Sequence, residues 1–300
     1  MTKTASRKKR IVFAAQLLLT LLCGLCLRVH SETSVWKVTT GDERPALFIG
    51  GTIHMLQVSD HPLPDAFDQA YASADEIFFE TDLNASNDPA FQARMVQMLS
   101  YRDGQRLSQN LTLDTRIKLA EFLGRRGLNM AVFDTLKPSG LSLTLSVMEL
   151  QRMGMNPSLG VDTTYHTRAL RDKKSISALE TPDEQLAFIR ALDNQSADKM
   201  ILYTLNDIEH MAPLLKTMVS AWRTGDLNSL SMAGIEGMQG EFPGVYDALI
   251  RRRNQAWMLK IQAMLEDDNT EFVLVGAMHL AGEDGLIHSL SALGYKIEQM

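Results

Sequence analysis

Short apolar runs alternate with longer segments of helical spacing along most of the chain, and this pattern is typical of an α/β fold. Helical spacing dominates the middle third. We therefore predict a mixed central β-sheet flanked by helices, with a helix-rich middle region. The predicted strands are 35–38, 46–49, 76–80, 175–179, 271–275 and one at the C-terminus, and the predicted helices are 64–75, 88–100, 113–126, 141–153, 182–192, parts of 196–232, and 245–266.

The first 31 residues have the pattern of an export signal. Residues 2–10 carry five basic side chains, and the apolar run 11–27 follows them. This run is slightly shorter than the roughly 20 residues of a membrane-spanning helix. We predict a signal peptide over 1–31, cleaved near Ser31 or kept as an uncleaved anchor, and a periplasmic or secreted protein that meets the membrane only through this segment. No linker pattern divides 32–300, so one domain is expected there.

The positions of the cysteines and the net charge exclude some kinds of catalysis and some kinds of partner. Both cysteines, Cys23 and Cys26, lie inside the signal segment, so the exported part has no thiol for catalysis, metal binding or disulfides. The whole chain has a formal charge of −6. Residues 1–31 hold six basic residues and no acid, and without them 24 Lys+Arg face 36 Asp+Glu, a charge of −12. This balance argues against a nucleic-acid partner and favours a bound cation.

Two copies of one pattern carry the candidate chemistry. In each copy an apolar strand ends in glycine, two residues and a histidine, which gives His54 after Gly51 and His279 after Gly276. In open α/β sheets, ligands bind beyond the carboxyl ends of the strands. We expect both imidazoles at that edge, although a single copy of this pattern has little specificity.

Two glutamates end other predicted strands in the same way. Glu80 ends the predicted strand 76–80, and Glu180 comes directly after 175–179. Imidazoles and carboxylates together suit a divalent ion with an open position for water, and we expect His54, His279 and Glu80 as its ligands, with Mn, Co or Zn as the ion. Such an ion acidifies bound water and leaves one glutamate as general base. Metal-free acid/base catalysis by a His/Glu pair stays open, and Glu180 also suits a helix N-terminus.

One arginine falls on the apolar stripe of the last long helix. Arg253 faces the interior, whereas Arg251 and Arg252 lie on the opposite side. A buried guanidinium needs a carboxylate, a ligand anion or carbonyl oxygens, so Arg253 is a candidate site residue or half of a structural ion pair. Asp162 opens another helix, where we expect an N-cap in preference to a partner for one of these cations.

At these residues the chain resembles the TraB/GumN family, which includes the TIKI group of animal metalloproteases. The shared motifs span nearly the whole exported part, and they are L-F-I-G-G-T-I-H-M-L, F-F-E-T-D, G-V-D, L-E-T-P-D-E-Q-L, Arg253-Asn254 before Trp257, and V-L-V-G-A-M-H-L-A-G. The resemblance implies an α/β fold related to erythromycin-esterase-like and ChaN-like proteins. It also implies a site built from the two histidines and acidic residues, with Glu180 and Arg253 nearby.

Two functions are compatible with these features. The leading hypothesis is an exported metal-dependent hydrolase of a peptide or another amide or ester. His54 and His279 would bind the metal, and the catalytic residues would be Glu80 as ligand or base, Glu180, and Arg253, which would steady the oxyanion or a carboxylate. The competing hypothesis is a non-catalytic protein that binds a peptide, a haem or another small ligand in the same crevice.

Overall fold

Six strands form one mixed sheet in the computed structural model, which describes residues 32–40, 45–86 and 88–300. The strands are β1 (Val35–Thr39), β2 (Pro45–Thr52), β3 (Glu76–Phe79), β4 (Ser175–Ala178), β5 (Glu271–Gly276) and β6 (Lys296–Gln299). Their order across the sheet is β4-β3-β5-β2-β1-β6. Strands β2, β5, β3 and β4 are mutually parallel, and β1 runs antiparallel to both β2 and β6.

The parallel strands bring the two histidine patterns to one edge. In the register between β2 and β5, Gly51 lies opposite Val275 and Thr52 opposite Gly276. Both chains then leave the sheet on the same side, because parallel strands share their carboxyl edge. A side chain on Gly50 would come within 2.8 Å of the Phe272 ring, so the close approach of β2 to β5 needs glycine there.

Helices fill the connections and cover both faces of the sheet, as the sequence pattern predicts. The α-helices are α1 (Asp65–Ser73), α2 (Leu83–Ser86), α3 (Pro89–Met98), α4 (Leu113–Gly124), α5 (Pro138–Arg152), α6 (Val161–Asp172), α7 (Pro182–Ile189), α8 (Ala197–Thr224), α9 (Leu227–Leu230), α10 (Glu236–Glu241), α11 (Pro243–Tyr246), α12 (Arg252–Met264) and α13 (Leu286–Ala292). Two π-helical segments, Ser231–Ile235 and Asp247–Arg251, and a 3₁₀ turn, Ala277–Leu280, lie close to the carboxyl edge.

The core is divided by the sheet. On one face Phe67 and Trp222 pack with the strands, and on the other face Trp257 and Ile261 of α12 do so. A further apolar cluster joins α4, α5 and α8 in the helix-rich middle region, around Phe122. Trp222 also donates its indole N–H to the carbonyl of Gly51 at 2.7 Å, which holds the end of β2 in place. Residues Glu32–Met300 form one compact unit.

The predicted fold class is confirmed, with small differences in the elements. A capping box opens α7, since Thr181 Oγ1 accepts from the Glu184 N–H and Glu184 Oε2 accepts from the Thr181 N–H. The predicted long helix 245–266 contains the π segment Asp247–Arg251 before α12 begins. No helix in the described part of the chain is both long and apolar enough to cross a bilayer. The predicted signal segment and its cysteines lie outside the described residues.

Candidate active site at the carboxyl edge of the sheet

Four of the predicted site residues come together beyond the carboxyl ends of the parallel strands. Glu80 follows β3, Glu180 lies just beyond β4, and His279 lies in the 3₁₀ turn after β5. Arg253, in the first turn of α12, lies between them. Arg253, Glu180 and His279 are buried, and 12% of the Glu80 side chain is exposed. Chain segments nearly 200 residues apart thus build one charged cluster.

Arg253 is the centre of this cluster, and each of its five N–H groups has an acceptor. Its Nε and Nη2 bind both carboxylate oxygens of Glu180, at 3.0 and 2.8 Å, and Nη2 also donates to Glu80 Oε2 at 2.5 Å. Its Nη1 donates to His279 Nε2 at 3.1 Å and to the Leu249 carbonyl at 3.3 Å. A guanidinium has five N–H donors in a fixed plane. The geometry therefore uses Arg253 to orient two carboxylates and one imidazole at once.

The protonation state of His279 follows from its two neighbours. Asn254 donates through Nδ2 to the carbonyls of His279 and Asp284, at 3.0 and 2.7 Å, so its Oδ1 is left as an acceptor 2.7 Å from His279 Nδ1. His279 thus carries a proton on Nδ1. Its Nε2 must be a lone pair, because Arg253 can only donate to it. Burial and the charge of Arg253 lower the pKa of His279 to about 3, which agrees with a neutral ring.

His54 has the opposite electrostatic setting. Its Nδ1 lies 3.1 Å from Asp162 Oδ1, and 64% of its side chain is exposed. The carboxylate of Asp162 raises the pKa of His54 to about 9 against the opposing effect of desolvation. Gly160 allows this contact, since a Cβ there would lie 2.3 Å from the His54 carbonyl and would push α6 away. The motif G-V-D therefore places Asp162 beside His54.

Gly276 is the point where the two histidines and Glu80 meet. Its N–H donates to Glu80 Oε1 at 2.6 Å. A methyl group on its α-carbon would lie 3.1 Å from Glu80 Oε1, 3.6 Å from His279 Cδ2 and 3.9 Å from His54 Nε2. The three predicted metal ligands thus face one small space, which glycine leaves free.

The two glutamates differ in acidity. Burial opposes the charge on Glu80, but the neighbouring side chains of His279, Arg253 and His54 and the Gly276 N–H outweigh it and lower its pKa to about 2. Because His279 is neutral, we assign the main effect to Arg253. Burial raises the pKa of Glu180 despite its paired bonds to Arg253. That bidentate geometry still favours an ionised Glu180 at neutral pH.

The predicted metal site does not fit the arrangement as it stands. In favour of a metal, Asp162 and Asn254 hold the Nδ1 atoms of His54 and His279, as partners of metal-bound histidines do. Against it, the single lone pair on His279 Nε2 accepts from Arg253, and Nε2 lies 3.9 Å from Glu80 Oε1. Among the residues described, no group of three His, Cys, Asp or Glu side chains has the geometry of a metal centre. A metal would require Arg253 to release His279.

Two contacts differ from the sequence analysis or were absent from it. The expected N-cap role of Asp162 is wrong, since the helix has no side-chain cap and the carboxylate binds His54 instead. Sequence reasoning gave no role to Asn254, which is buried and fixes the His279 ring. Its position next to Arg253 on the helix was the available signal, because a buried amide must satisfy its hydrogen bonds.

Carboxylates, imidazoles and a guanidinium thus lie together beyond the carboxyl ends of the parallel strands. The model of the TraB/PrgY/gumN family matches residues 34–299, and the chain belongs to this family. It is similar to YbaP of Escherichia coli strain K12 and to YbaP of Shigella flexneri, both described as uncharacterized proteins. Each is 27% identical over 237 residues, which cover 79% of this chain and 84% of the relative. Solved structures give no significant match.

Proposed function

We propose that this protein is an exported hydrolase of an amide or ester bond, peptides included, and that its active site is the cluster around Arg253. One observation carries the proposal: His54 and His279 face the same small space, and their Nδ1 partners give them opposite proton affinities. Pairs of titratable groups whose environments push their pKa values apart are the usual basis of acid/base catalysis. Export rests on the sequence of residues 1–31 alone.

Each histidine has a distinct role in this proposal. His54, held protonated by Asp162, donates from Nε2 to the carbonyl oxygen or to the leaving group. His279, with a lone pair on Nε2, accepts a proton from the attacking water once a water molecule replaces the Arg253 N–H. The carboxylate of Glu80 lies beside both rings and stabilises the positive charge that passes between them.

Arg253 acts as a positioning residue in this proposal. All five of its N–H groups are already bonded, so it has no free donor for an oxyanion until one bond is broken. Its charge keeps Glu80 and Glu180 ionised, and its plane sets their directions. Glu180 in turn holds the guanidinium through its two bonds to Nε and Nη2.

The divalent ion stays a prediction with a structural condition attached. Arg253 must release His279 before His54, His279 and Glu80 can share Mn, Co or Zn. Metal analysis of the purified parent and of the His54→Ala and His279→Ala variants tests this directly. Equal metal retention by all three proteins would contradict a site at these residues.

Hydrolysis is tested with short p-nitrophenyl esters and a peptide library. We expect His54→Ala and His279→Ala each to lower kcat/KM by about 100-fold or more, because each removes a proton-transfer group. His288→Ala, which removes an exposed histidine outside the site, serves as the matched control and should keep full activity. Saturable binding of peptide or haem without turnover by the parent would instead support the binding-protein hypothesis.

A further inference from the structure

A large cleft lies next to the candidate active site, between α5, α8 and the two π-helical segments. Its volume is about 880 Å³. Five methionines line it: Met200, Met218, Met232, Met238 and Met278. Methionine side chains are flexible and polarizable, and they adapt to apolar ligands of varied shape. π-helical segments occur often at functional sites.

The polar groups of the cleft are mostly bonded within the protein. Thr204 Oγ1 donates to the Met200 carbonyl and lies 2.8 Å from Ser142 Oγ, Thr217 Oγ1 donates to the Pro213 carbonyl, and Ser229 Oγ donates to Asp226. The backbone of the helical walls is engaged in helical hydrogen bonds. A peptide lying here would leave its own amides without partners, which is costly. A hydrocarbon chain has no such groups.

Charge also restricts the occupant. None of the residues that line the cleft is lysine or arginine, and Asp207 is its one carboxylate. Burial raises the pKa of Asp207, so this carboxyl group already resists charge. The one histidine of the lining, His210, donates from Nδ1 to the Asn206 carbonyl. The cleft therefore suits an uncharged chain, and it offers no lysine or arginine to the propionates of a haem or to a fatty-acid carboxylate.

The cleft and the active site share a wall. Met278, which lines the cleft, directly precedes His279, and Leu249, also in the lining, accepts through its carbonyl from Arg253 Nη1. A chain in the cleft thus ends close to the groups that would act on a carbonyl.

From this geometry we propose that the methionine-lined cleft binds the alkyl chain of an acyl ester or acyl amide, whose carbonyl group lies at His54 and His279. The position of the carbonyl rests on the proposed hydrolytic function. Binding of the chain itself does not, so the two can be tested separately.

The binding test uses neutral N-methyl alkanamides of 8, 10 and 12 carbons, titrated calorimetrically into the full-length protein. We expect the Kd to fall about fourfold for each added methylene, the gain for burying one such group. Met232→Glu and Leu143→Glu place a charge in the lining at partly exposed positions, and each should weaken binding about tenfold or more. Val132→Glu, at a more exposed apolar position outside the lining, is the matched control and should bind as the parent does.

Several results would overturn the inference. They are a Kd that does not depend on chain length, equal weakening by Val132→Glu, or tighter binding of an apolar peptide than of the amides. Thermal melting of each variant shows whether weaker binding reflects unfolding.

A second measurement separates this inference from the proposed function. We expect kcat/KM for p-nitrophenyl esters to rise with acyl length in the parent and in Val132→Glu but not in Met232→Glu. Chain-dependent amide binding without any ester or amide hydrolysis would support the cleft and overturn the proposed hydrolase. Hydrolysis with no chain-length effect in either assay would support the proposed hydrolase and overturn the proposed binding of an alkyl chain in the cleft.

Discussion

The two edges of the same sheet hold buried acids in opposite settings. At the carboxyl edge, Glu80 and Glu180 share one guanidinium, that of Arg253. At the amino edge, Glu271 is 1% exposed and lies opposite Glu76 in the register between β3 and β5. Within the described chain, Glu271 has no ion pair, and its Oε2 has no hydrogen-bond partner.

This difference shows that pairing, more than burial, sets the charge of these groups. Desolvation opposes ionisation at both edges. Arg253 overcomes it at Glu80, whose pKa falls to about 2. At Glu271, burial and the nearby carboxylates of Asp267, Glu76 and Asp75 act together and raise the pKa to about 7. The carboxyl edge therefore stabilises the ionised form of Glu80. At the amino edge, ionisation of Glu271 destabilises the folded state as the pH rises.

The largest effect is expected from removing the shared cation. Arg253→Met leaves Glu80 and Glu180 buried without a partner, so we expect the free energy of unfolding to fall by about 3–5 kcal/mol, measured by urea denaturation. Arg252→Met is the matched control, since Arg252 is exposed and pairs only with Asp247 at the surface. The free energy of unfolding of Arg252→Met should be lower than that of the parent by less than about 1 kcal/mol. Equal losses in the two variants would show that the cluster around Arg253 is not a buried ion network.

The amino edge should respond in the opposite direction. The pKa of Glu271 is raised in the folded state, so its contribution is neutral below pH 4.5, where both states hold the proton, and becomes destabilising as the pH rises to about 7. We expect Glu271→Gln to increase the free energy of unfolding at pH 8 by about 1–3 kcal/mol and to flatten its decline between pH 4.5 and 7.

Glu266→Gln, which changes an exposed acid on the same side of the molecule, is the control for Glu271→Gln and should have little effect. If the stability of Glu271→Gln follows that of the parent at every pH, Glu271 is ionised without cost and the contrast between the edges is lost.

A smaller effect concerns His54, at the exposed rim of the carboxyl edge. Asp162→Asn removes the charge that raises the pKa of His54, so the pKa should fall from about 9 toward the ordinary histidine value of about 6.5. NMR titration of the imidazole resonances measures this shift, and His61, whose Nε2 contacts the Leu159 carbonyl, is an internal reference. An unchanged His54 pKa in Asp162→Asn would remove the basis for its role as a proton donor.

The smallest effect on stability is expected at Gly276. Its φ of −51° suits alanine, so Gly276→Ala should change the free energy of unfolding by less than about 1 kcal/mol. The added methyl would lie between Glu80 and the two histidines, and kcat/KM should fall about tenfold or more. Gly240→Ala, a helical position with open space around it, is the control. Full activity of Gly276→Ala would show that this space is not used by a substrate.

Most of the fold could be predicted from residue patterns. The strands β2, β3 and β5 are short apolar runs, and such runs need cover on both faces, which long amphipathic helices provide. The π-helical segment Asp247–Arg251 before α12 was not predicted. A single π-helical turn shifts the apolar positions by no more than one residue from α-helical spacing, so the sequence pattern does not reveal it. The positions of His54, Glu80 and His279 at one edge followed from strand ends alone.

The partners of those residues required the three-dimensional arrangement. Asp162 reads in sequence as a helix cap, and only the approach of α6 to the loop after β2 makes it the partner of His54. Asn254 lies beside Arg253 in the sequence, but only the structure shows that it binds the His279 ring and the carbonyls of His279 and Asp284. Whether Arg253 or a metal contacts His279 Nε2 depends on distances between side chains that are far apart along the chain, and residue spacing in the sequence does not give those distances.

The sequence by itself determined the local chemistry of this protein: an α/β pattern, an acidic sequence without cysteine after residue 31, and histidines and glutamates at strand ends. These follow from periodicity and residue type, which act over a few residues. The tertiary structure decided which charges meet, because Arg253 lies 173 residues from Glu80 and 73 from Glu180 along the chain. The pKa values depend on which charges lie close together, so the contrast between the pKa values of His54 and His279 appears only in the folded molecule.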